Sequence, residues 1–380
     1  PVLPAPAAVR SLPGLDPGSI PVVSDLGLVP DDCPGRQAGG RLAGLHLLRS
    51  FLTDRGATYH REMSSPLTAD TACSRLSAHL AYGTLSMREV AQATWARLAE
   101  VKAMPAEVRG ARATALRAYI GRLHWHCHFI QKLEASPSLE FANLHRAYDG
   151  LRENEFDQTH FRAWAAGRTG FPFVDACMRS LASTGWINFR MRAMLVAFAS
   201  YQLWLHWRET GLHLARLFTD YEPGIHWPQM QMQSGTTGTN TVRIYNPVKQ
   251  STDQDPEGTF IRRWIPELRG VPGSFIHEPW RMPEDMQNLV SCVIGTDYPL
   301  PIVDHEVAAR RARERVWAVR RGDAFRSEAR RILIRHGSRK QSSVPLRGRS
   351  SRPVARQATE DRAPVTNPPQ LTLDLSGGVS

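Results

Sequence analysis

In residues 112–134, Leu116, Tyr119, Ile120, Leu123, Cys127, Ile130 and Leu133 recur at the spacing of one helix face. That period commits the segment to a long amphipathic helix and excludes a half-buried strand, which would alternate every second residue. The same period recurs elsewhere. In "GGRLAGLHLLRSFLTDR", residues 39–55, Leu42, Leu45, Leu48 and Leu52 form a stripe that Gly56 stops. Residues 85–102 predict another helix. "FPFVDACMRSLASTGW" predicts a further one, with Pro172 in its first turn and Gly185 as its C-terminal cap. Residues 187–208 predict a long apolar helix, and residues 304–335 an arginine-rich last one. No run of alternating strands and no internal repeat appears, so the expected fold class is all-α.

Three stretches follow from these signals. Residues 1–38 are rich in Pro, Gly, Ser and Asp and read as a linker or lead-in. Residues 39–335 form the helical domain. Residues 336–380 have few apolar side chains and no period, and read as a disordered tail. Hydrophobic residues make up 42 % of the chain, with ten tryptophans, which suffices for a large buried core. The longest apolar run, "AMLVAFASYQLWLHW" at residues 193–207, is shorter than the roughly 18 residues of a membrane span, contains Gln202 and His206, and reads as a core helix.

The net charge of +11 is localised. From Arg310 onward lie 17 of the 47 Lys and Arg but only 6 of the 36 Asp and Glu, so residues 1–309 carry 30 of each. The basic end could bind polyanions in a salt-dependent way or simply aid solubility. The five cysteines lie far apart with no C-x-x-C, which disfavours disulfides, zinc and iron–sulfur sites and fits a reducing cytoplasm. No signal peptide is visible, and a chain that opens at Pro1 reads as a fragment or processed piece.

Candidate sites emerge from local chemistry. "HWHCH" places His124 and His128 on one helix face, but no third ligand stands at a recognisable spacing, so no metal is expected and these rings read as cleft lining. Arg75 lies among the hydroxyls of Ser74 and Ser77, which suits a phosphate or, more plainly, helix capping. Arg190 and Arg192 open an apolar helix and call for a carboxylate partner, with Asp220 and Glu222 as candidates. No G-x-G-x-x-G and no P-loop pattern is present.

"CSRLSAHLAYGTLSMREV", "GRTGFPFVDACMRSLASTGWINFRMRA", "DQDPEGTFIRRWIPEL" and "IHEPW" occur in this order. Together they resemble the FAD-binding helical domain of the DNA photolyase/cryptochrome family over about residues 39–335. The family's N-terminal antenna domain is missing, and residues 1–38 resemble the linker behind it. The resemblance implies FAD as cofactor and light-driven electron transfer from the reduced flavin, in photolyases into a pyrimidine lesion flipped out of UV-damaged DNA.

Carried over by motif, Ser74, Arg75, Leu76 and Ser77 match the phosphate-side loop, with Cys73 where a threonine is usual and Tyr59 as a further cofactor contact. Arg192 and Asp220 match the pair beside the flavin ring, followed by Tyr221 and by Glu222 in place of an aspartate. "EPGIHWPQMQMQSGTTG" is expected as irregular backbone wrapping the flavin, and His226 stands where an asparagine faces it, as a catalytic tuning residue. Trp125 would stack on a lesion, with Arg122, His126 and Met232 around it. Arg122 replaces a glutamate, Phe189 an asparagine, and Met232 the pocket's second aromatic, so the pocket is atypical: a cation cannot accept the imide N–H bonds a carboxylate accepts. Of the tryptophans that relay electrons, Trp207 is kept, while Met230 and Asn154 replace the others. An alternative route would run through Trp186, Trp204 or Trp227. The expectation is a photolyase-like repair lyase. The alternatives are a cryptochrome-like photoreceptor signalling to a partner through its basic C-terminal segment, and an FAD-bound binding module without catalysis.

Overall fold

Helices carry the architecture of the computed structural model, which describes residues 13–16, 18–28 and 32–337. Helix α1 (Arg41–Thr53) leads through short turns to α2 (Met87–Ala103) and α3 (Arg112–Ala135). Ser86 fixes the start of α2, its hydroxyl accepting the Glu89 amide at 3.1 Å. Next come α4 (Pro172–Thr184), α5 (Phe189–Ala197), α6 (Trp207–Leu217) and α7 (Pro223–Ser234). Helices α8 (His305–Val319) and α9 (Asp323–His336) end the described chain. Among the described residues there is no strand, only one isolated bridge between Ile294 and Tyr298, and no helix long and apolar enough to cross a membrane. The all-α class expected from periodicity is the class found. The expected tail lies outside the described residues from residue 338 onward.

Of the four apolar clusters among the described residues, two are large. The larger gathers Phe173 and Leu181 of α4, Met191 and Leu195 of α5, Leu214 of α6, and Trp227 and Met230 of α7. The smaller gathers Phe51 of α1, Val90 of α2, and Tyr119 and Leu123 of α3, with Tyr59 and Leu76 from the turns between. Each such buried side chain contributes about 1.5–3 kcal/mol. Helix α3 packs on α2 at one side and α7 at the other, so the α3–α7 contact joins the two cores. Gly224 permits that closeness, because a Cβ there would lie 2.7 Å from the Ile130 Cα.

Three elements differ from the sequence expectation. The helix expected over residues 187–208 breaks. Helix α5 passes into a π-turn at Phe198–Gln202, and Trp204 adopts φ 56°. The cause is Arg152, buried to 1 % exposure, which donates to the Ser200 carbonyl at 3.0 Å and lies over the Trp204 ring at 4.4 Å. A carbonyl captured by a side chain leaves the helical ladder, and a wider turn follows. The last helix also divides, because Gly322 at φ 105° separates α8 from α9. Third, residues 223–234 are helical rather than irregular. Glu222 caps α7 through the Gly224 amide, Pro223 fills its first position, and Gly235 at φ 77° ends it.

Candidate cofactor cleft

The centre of the site is set by a glycine. Gly185 ends α4 at φ 67°, and its carbonyl accepts the Thr219 amide at 2.9 Å. A Cβ on Gly185 would stand 2.1 Å from Thr219 Oγ1, so only glycine lets the segment after α6 come this close. Thr219 in turn delivers Asp220 to Arg192 of α5. Arg192 Nη2 donates to Asp220 Oδ2 at 2.7 Å and Nε to the Ile187 carbonyl at 2.7 Å, while its guanidinium covers Phe218 at 4.1 Å. Asp220 is 8 % exposed.

The loop carrying Cys73, Ser74, Arg75, Leu76 and Ser77 is held from below by Arg55. Its guanidinium donates to the carbonyls of Thr71 (2.6 Å), Cys73 (2.7 Å), Leu47 (3.2 Å) and Ser74 (3.4 Å) and to Ser50 Oγ (3.0 Å). One guanidinium thus takes up the loop's acceptors. Arg75 then turns into the left-handed region at φ 60°. Its side chain pairs with Asp70 and lies over Trp186 at 4.0 Å, and burial lowers its pKa while Asp70 and Asp220 act to raise it. Leu76 is fully buried in the smaller core, and Ser77 opens the five-residue helix Ser77–Ala81. Burial pushes the Cys73 thiol up to about 12, so it is a neutral group at physiological pH. Tyr59, edge-on to Phe51 and Tyr119, is likewise raised by burial. Tyr119 bonds Ser74.

The opposite wall comes from α3 and α7. Trp125 is 36 % exposed and stacks on Phe129 at 5.5 Å and 29°. Arg122 is exposed and lies 5.8 Å from the Phe189 ring. His126 is lowered by burial and partly restored by Glu222. His226 is 8 % exposed, and its Nε2–H donates to the Gly211 carbonyl at 2.9 Å, which leaves Nδ1 as the lone-pair nitrogen. Burial depresses it to about 4, so it is a neutral imidazole at pH 7. Tyr221 and Trp227 flank it at 5.3 and 4.8 Å. Trp227 Nε1 donates to the Tyr221 hydroxyl at 3.1 Å and its ring stands 6.0 Å from Trp207. Trp207 is fully buried, its Nε1 donating to Asn143 Oδ1 at 2.7 Å.

Several buried polar atoms here lack a partner among the described residues: Asp220 Oδ1, Thr219 Oγ1, Asn188 Oδ1, Arg190 Nε, His126 Nδ1 and His60 Nδ1. An orphaned buried donor or acceptor costs about 1–3 kcal/mol, and Thr219 Oγ1 and Asp220 Oδ1 leave two such atoms on adjacent residues. An acceptor oxygen on Asp220 beside an arginine, with unpaired donors nearby, fits a flavin with its imide N–H and ring carbonyls. The residues present therefore suit the dinucleotide that the sequence motifs imply.

The amide side chains of α7 divide. Gln231, fully buried, donates to the carbonyls of Leu139 (2.9 Å) and Ala142 (2.8 Å) and accepts the Leu144 amide (2.6 Å). It clamps the loop after α3 and does not serve a cofactor. Met232, half-buried, follows it on α7. Sequence reasoning missed Arg55, Asn188, Arg190 as an unpaired group, and Arg152. Their partners lie at distant sequence positions and leave no local pattern. Among the described residues no group of three or more His, Cys, Asp and Glu could hold a metal ion.

Known proteins resemble this chain in sequence and in fold. A family model described as the FAD binding domain of DNA photolyase matches residues 119–318. A deoxyribodipyrimidine photo-lyase of Streptomyces griseus is 35 % identical over 310 residues, 81 % of this chain and 62 % of that protein. A cryptochrome DASH of Gloeobacter violaceus is 32 % identical over 313 residues, 80 % of this chain and 60 % of that protein. Among solved structures, a bacterial class III photolyase from Agrobacterium tumefaciens superposes with a TM-score of 0.70 at 28 % identity, covering 81 % of this chain and 63 % of that one. The chain spans about three fifths of the length of these curated relatives.

Proposed function

Because this chain belongs to the photolyase/cryptochrome family and carries its FAD-binding helical domain, we propose that it repairs pyrimidine lesions in UV-damaged DNA, using light to drive an electron out of reduced flavin. The observation that carries this reading is Trp125. A large indole on α3 is kept 36 % exposed and backed by Phe129, one turn along the helix from Arg122, whose guanidinium lies 5.8 Å from the Phe189 ring of α5, the helix that carries Arg192. An exposed, rigidly backed aromatic face suits stacking on an unstacked base.

The roles divide as follows. Arg192 and Asp220 would hold the flavin's polar edge, with Tyr221 and neutral His226 beside them. Residues 73–77, fixed by Arg55, would hold the phosphate side. When bound, reduced flavin supplies a photoexcited electron donor. Trp125 would stack on the flipped lesion, and Arg122 with His126 and Met232 would line its pocket. Arg122 offers donors only, so it would favour the carbonyl oxygens of the lesion over its imide N–H groups. The chemistry supplied would be that of a lyase, an electron lent to the lesion and recovered while the two C–C bonds joining the bases of a cyclobutane dimer are opened.

A second reading rests on the same substitution. An exposed guanidinium beside an exposed Phe189 alters the lesion pocket, which favours a blue-light receptor acting on a partner through its basic C-terminal segment. The test is to illuminate the reduced protein with duplexes carrying either a cyclobutane dimer or a 6-4 product. Loss of either lesion is the expected result. Retention of both, with the flavin fully loaded, would overturn repair in favour of the receptor.

A further inference from the structure

Gln202 interrupts the apolar run of residues 193–207, and nothing in the cofactor cleft uses it. It stands in the π-turn, a geometry that recurs at functional sites, and is only 4 % exposed. Its Nε2 donates to the Tyr245 carbonyl at 2.7 Å, which fixes the amide, while Oε1 is buried without a partner. Helix α8 packs on the π-turn, and Gln202, residues 244–246 and α8 together line a cavity of about 380 Å³. That volume falls at the small end of the range for small-molecule sites, about 300–1,000 Å³.

The lining is chemically divided. Arg310 and Arg313, one turn apart on α8, are exposed, and neither pairs with an acid among the described residues. Glu306, the one acid in the lining, is also without an ion pair. Asp304 lies just outside it and spends Oδ1 on the amides of Glu306 and Val307, at 2.9 and 3.1 Å, so α8 is capped by its own chain. Asn246 accepts the Lys249 amide at 3.0 Å through Oδ1 and keeps its N–H groups. Ile244, Tyr245 and Ala309 supply apolar surface. A solvated arginine needs no partner, but Gln202 Oε1 is a buried acceptor that only a donor can satisfy. An inorganic anion would answer the arginines and leave Oε1 and the apolar wall unused. An apolar molecule would leave the charges unpaired. A phosphate joined to a flat body bearing N–H groups answers both.

We propose that the cavity between the π-turn and α8 binds a free nucleoside monophosphate. Its phosphate meets Arg310 and Arg313, its base lies against Ile244 and Tyr245, and the N–H groups of the base turn to Gln202 Oε1 and Glu306. No residue of this site belongs to the cofactor cleft or to the lesion pocket, so the inference stands whether or not the protein repairs DNA.

The test is titration calorimetry on the flavin-loaded full chain, whose own dinucleotide fills the cofactor cleft and keeps the probes out of it. The probes are the four ribonucleoside monophosphates, adenosine, inorganic phosphate and a 5′-phosphorylated tetranucleotide. At least one monophosphate is expected to bind more tightly than adenosine and than phosphate. Arg310→Gln with Arg313→Gln, a change confined to exposed side chains, is expected to weaken that monophosphate about tenfold or more and to leave the nucleoside within about twofold. Ala309→Trp, which fills the cavity from α8, is expected to abolish both. Gln202→Leu is expected to weaken monophosphate and nucleoside alike, because it removes the acceptor for the base. Each variant should keep its flavin and its melting curve, which shows that the fold is intact. Silence of all four monophosphates would overturn the proposal, as would equal affinity for inorganic phosphate or wild-type binding in Ala309→Trp. Tighter binding of the tetranucleotide, lost in Ala309→Trp, would overturn the free nucleotide in favour of a strand end.

Discussion

Arg192 and Asp220 meet at 2.7 Å across the junction of α5 with the segment after α6, yet Asp220 uses only one oxygen. The other, Oδ1, is buried and without a partner. An ion pair built for its own sake would engage both oxygens, as Arg179 does when one of its amino groups reaches both oxygens of Glu267 at 2.9 Å. A ligand-facing role for Asp220 would use that free oxygen. Asp220→Ala is therefore expected to lower flavin occupancy more than tenfold, read as the ratio of absorbance at about 450 nm to protein absorbance, with circular dichroism confirming the helices. Stability should fall by about 2–4 kcal/mol, because Arg192 is left partly buried and unpaired. Full flavin content in this variant would break the site assignment.

Arg55 makes a different kind of prediction, since it touches no ligand. Its five hydrogen bonds hold residues 71–74 onto the end of α1. Arg55→Met leaves those carbonyls unpaired, and the expected loss is about 3 kcal/mol in a denaturant melt. Flavin affinity should drop with it, because residues 73–77 lose their support. An Arg55→Met protein with wild-type stability would show that the loop holds its shape unaided.

These two residues also show what could be read from sequence. The α3 stripe and the Gly185 cap were legible because each follows from a local period or a turn rule, whereas charge alone left Asp220 and Glu222 both open as partners of Arg190 and Arg192, and the resemblance chose Arg192 with Asp220. Arg55 and Arg152 were not, because both bond backbone carbonyls, which every residue has and no sequence pattern advertises. Arg152 is the costlier omission, since its capture of the Ser200 carbonyl breaks the helix that apolar content alone extends to residue 208. In α7 the signals were present in Glu222, Pro223 and Gly235, but Pro228 and the glutamines obscured them.

The route of light-driven flavin reduction can be argued from cations. An oxidised indole is a radical cation, and a guanidinium about 4 Å away opposes it by about 4 kcal/mol at an effective dielectric of about 20, before any carboxylate offsets this. Trp186 lies under Arg75 at 4.0 Å, and Trp204 between Arg152 at 4.4 Å and Arg315 at 4.1 Å. Trp227 and Trp207 carry no such cation among the described residues and stand 6.0 Å apart. Trp227→Phe and Trp207→Phe are expected to slow reduction by an external thiol under blue light at least fivefold, while Trp186→Phe and Trp204→Phe change it less than twofold. Met230→Trp, which adds an indole one turn along α7, should speed it. Transient absorption should show the indole radical in the wild type and lose it in Trp227→Phe. Equal slowing in all four phenylalanine variants would remove the discrimination by charge.

His226 ties the cleft to pH. Its imidazole is buried, donates through Nε2 to the Gly211 carbonyl, and is depressed to about 4 from an ordinary value near 6.5, with Arg192 adding to the effect of burial. The unfolded chain therefore binds a proton that the folded chain refuses between these values. Stability is undiminished above about pH 6.5, declines as pH falls, and is lower by the full amount below about pH 4. At about 1.4 kcal/mol per pH unit, that amount is about 3 kcal/mol, of which about 2 kcal/mol is reached by pH 5. His226→Gln keeps a donor for Gly211 and removes the titration. Denaturant melts at pH 7 and pH 5 should show the wild type losing about 2 kcal/mol more than the variant over that interval, so the two curves converge on acidification. Parallel curves would mean that His226 titrates as an ordinary solvated histidine, and the neutral imidazole assigned to the cleft at physiological pH would have to be abandoned.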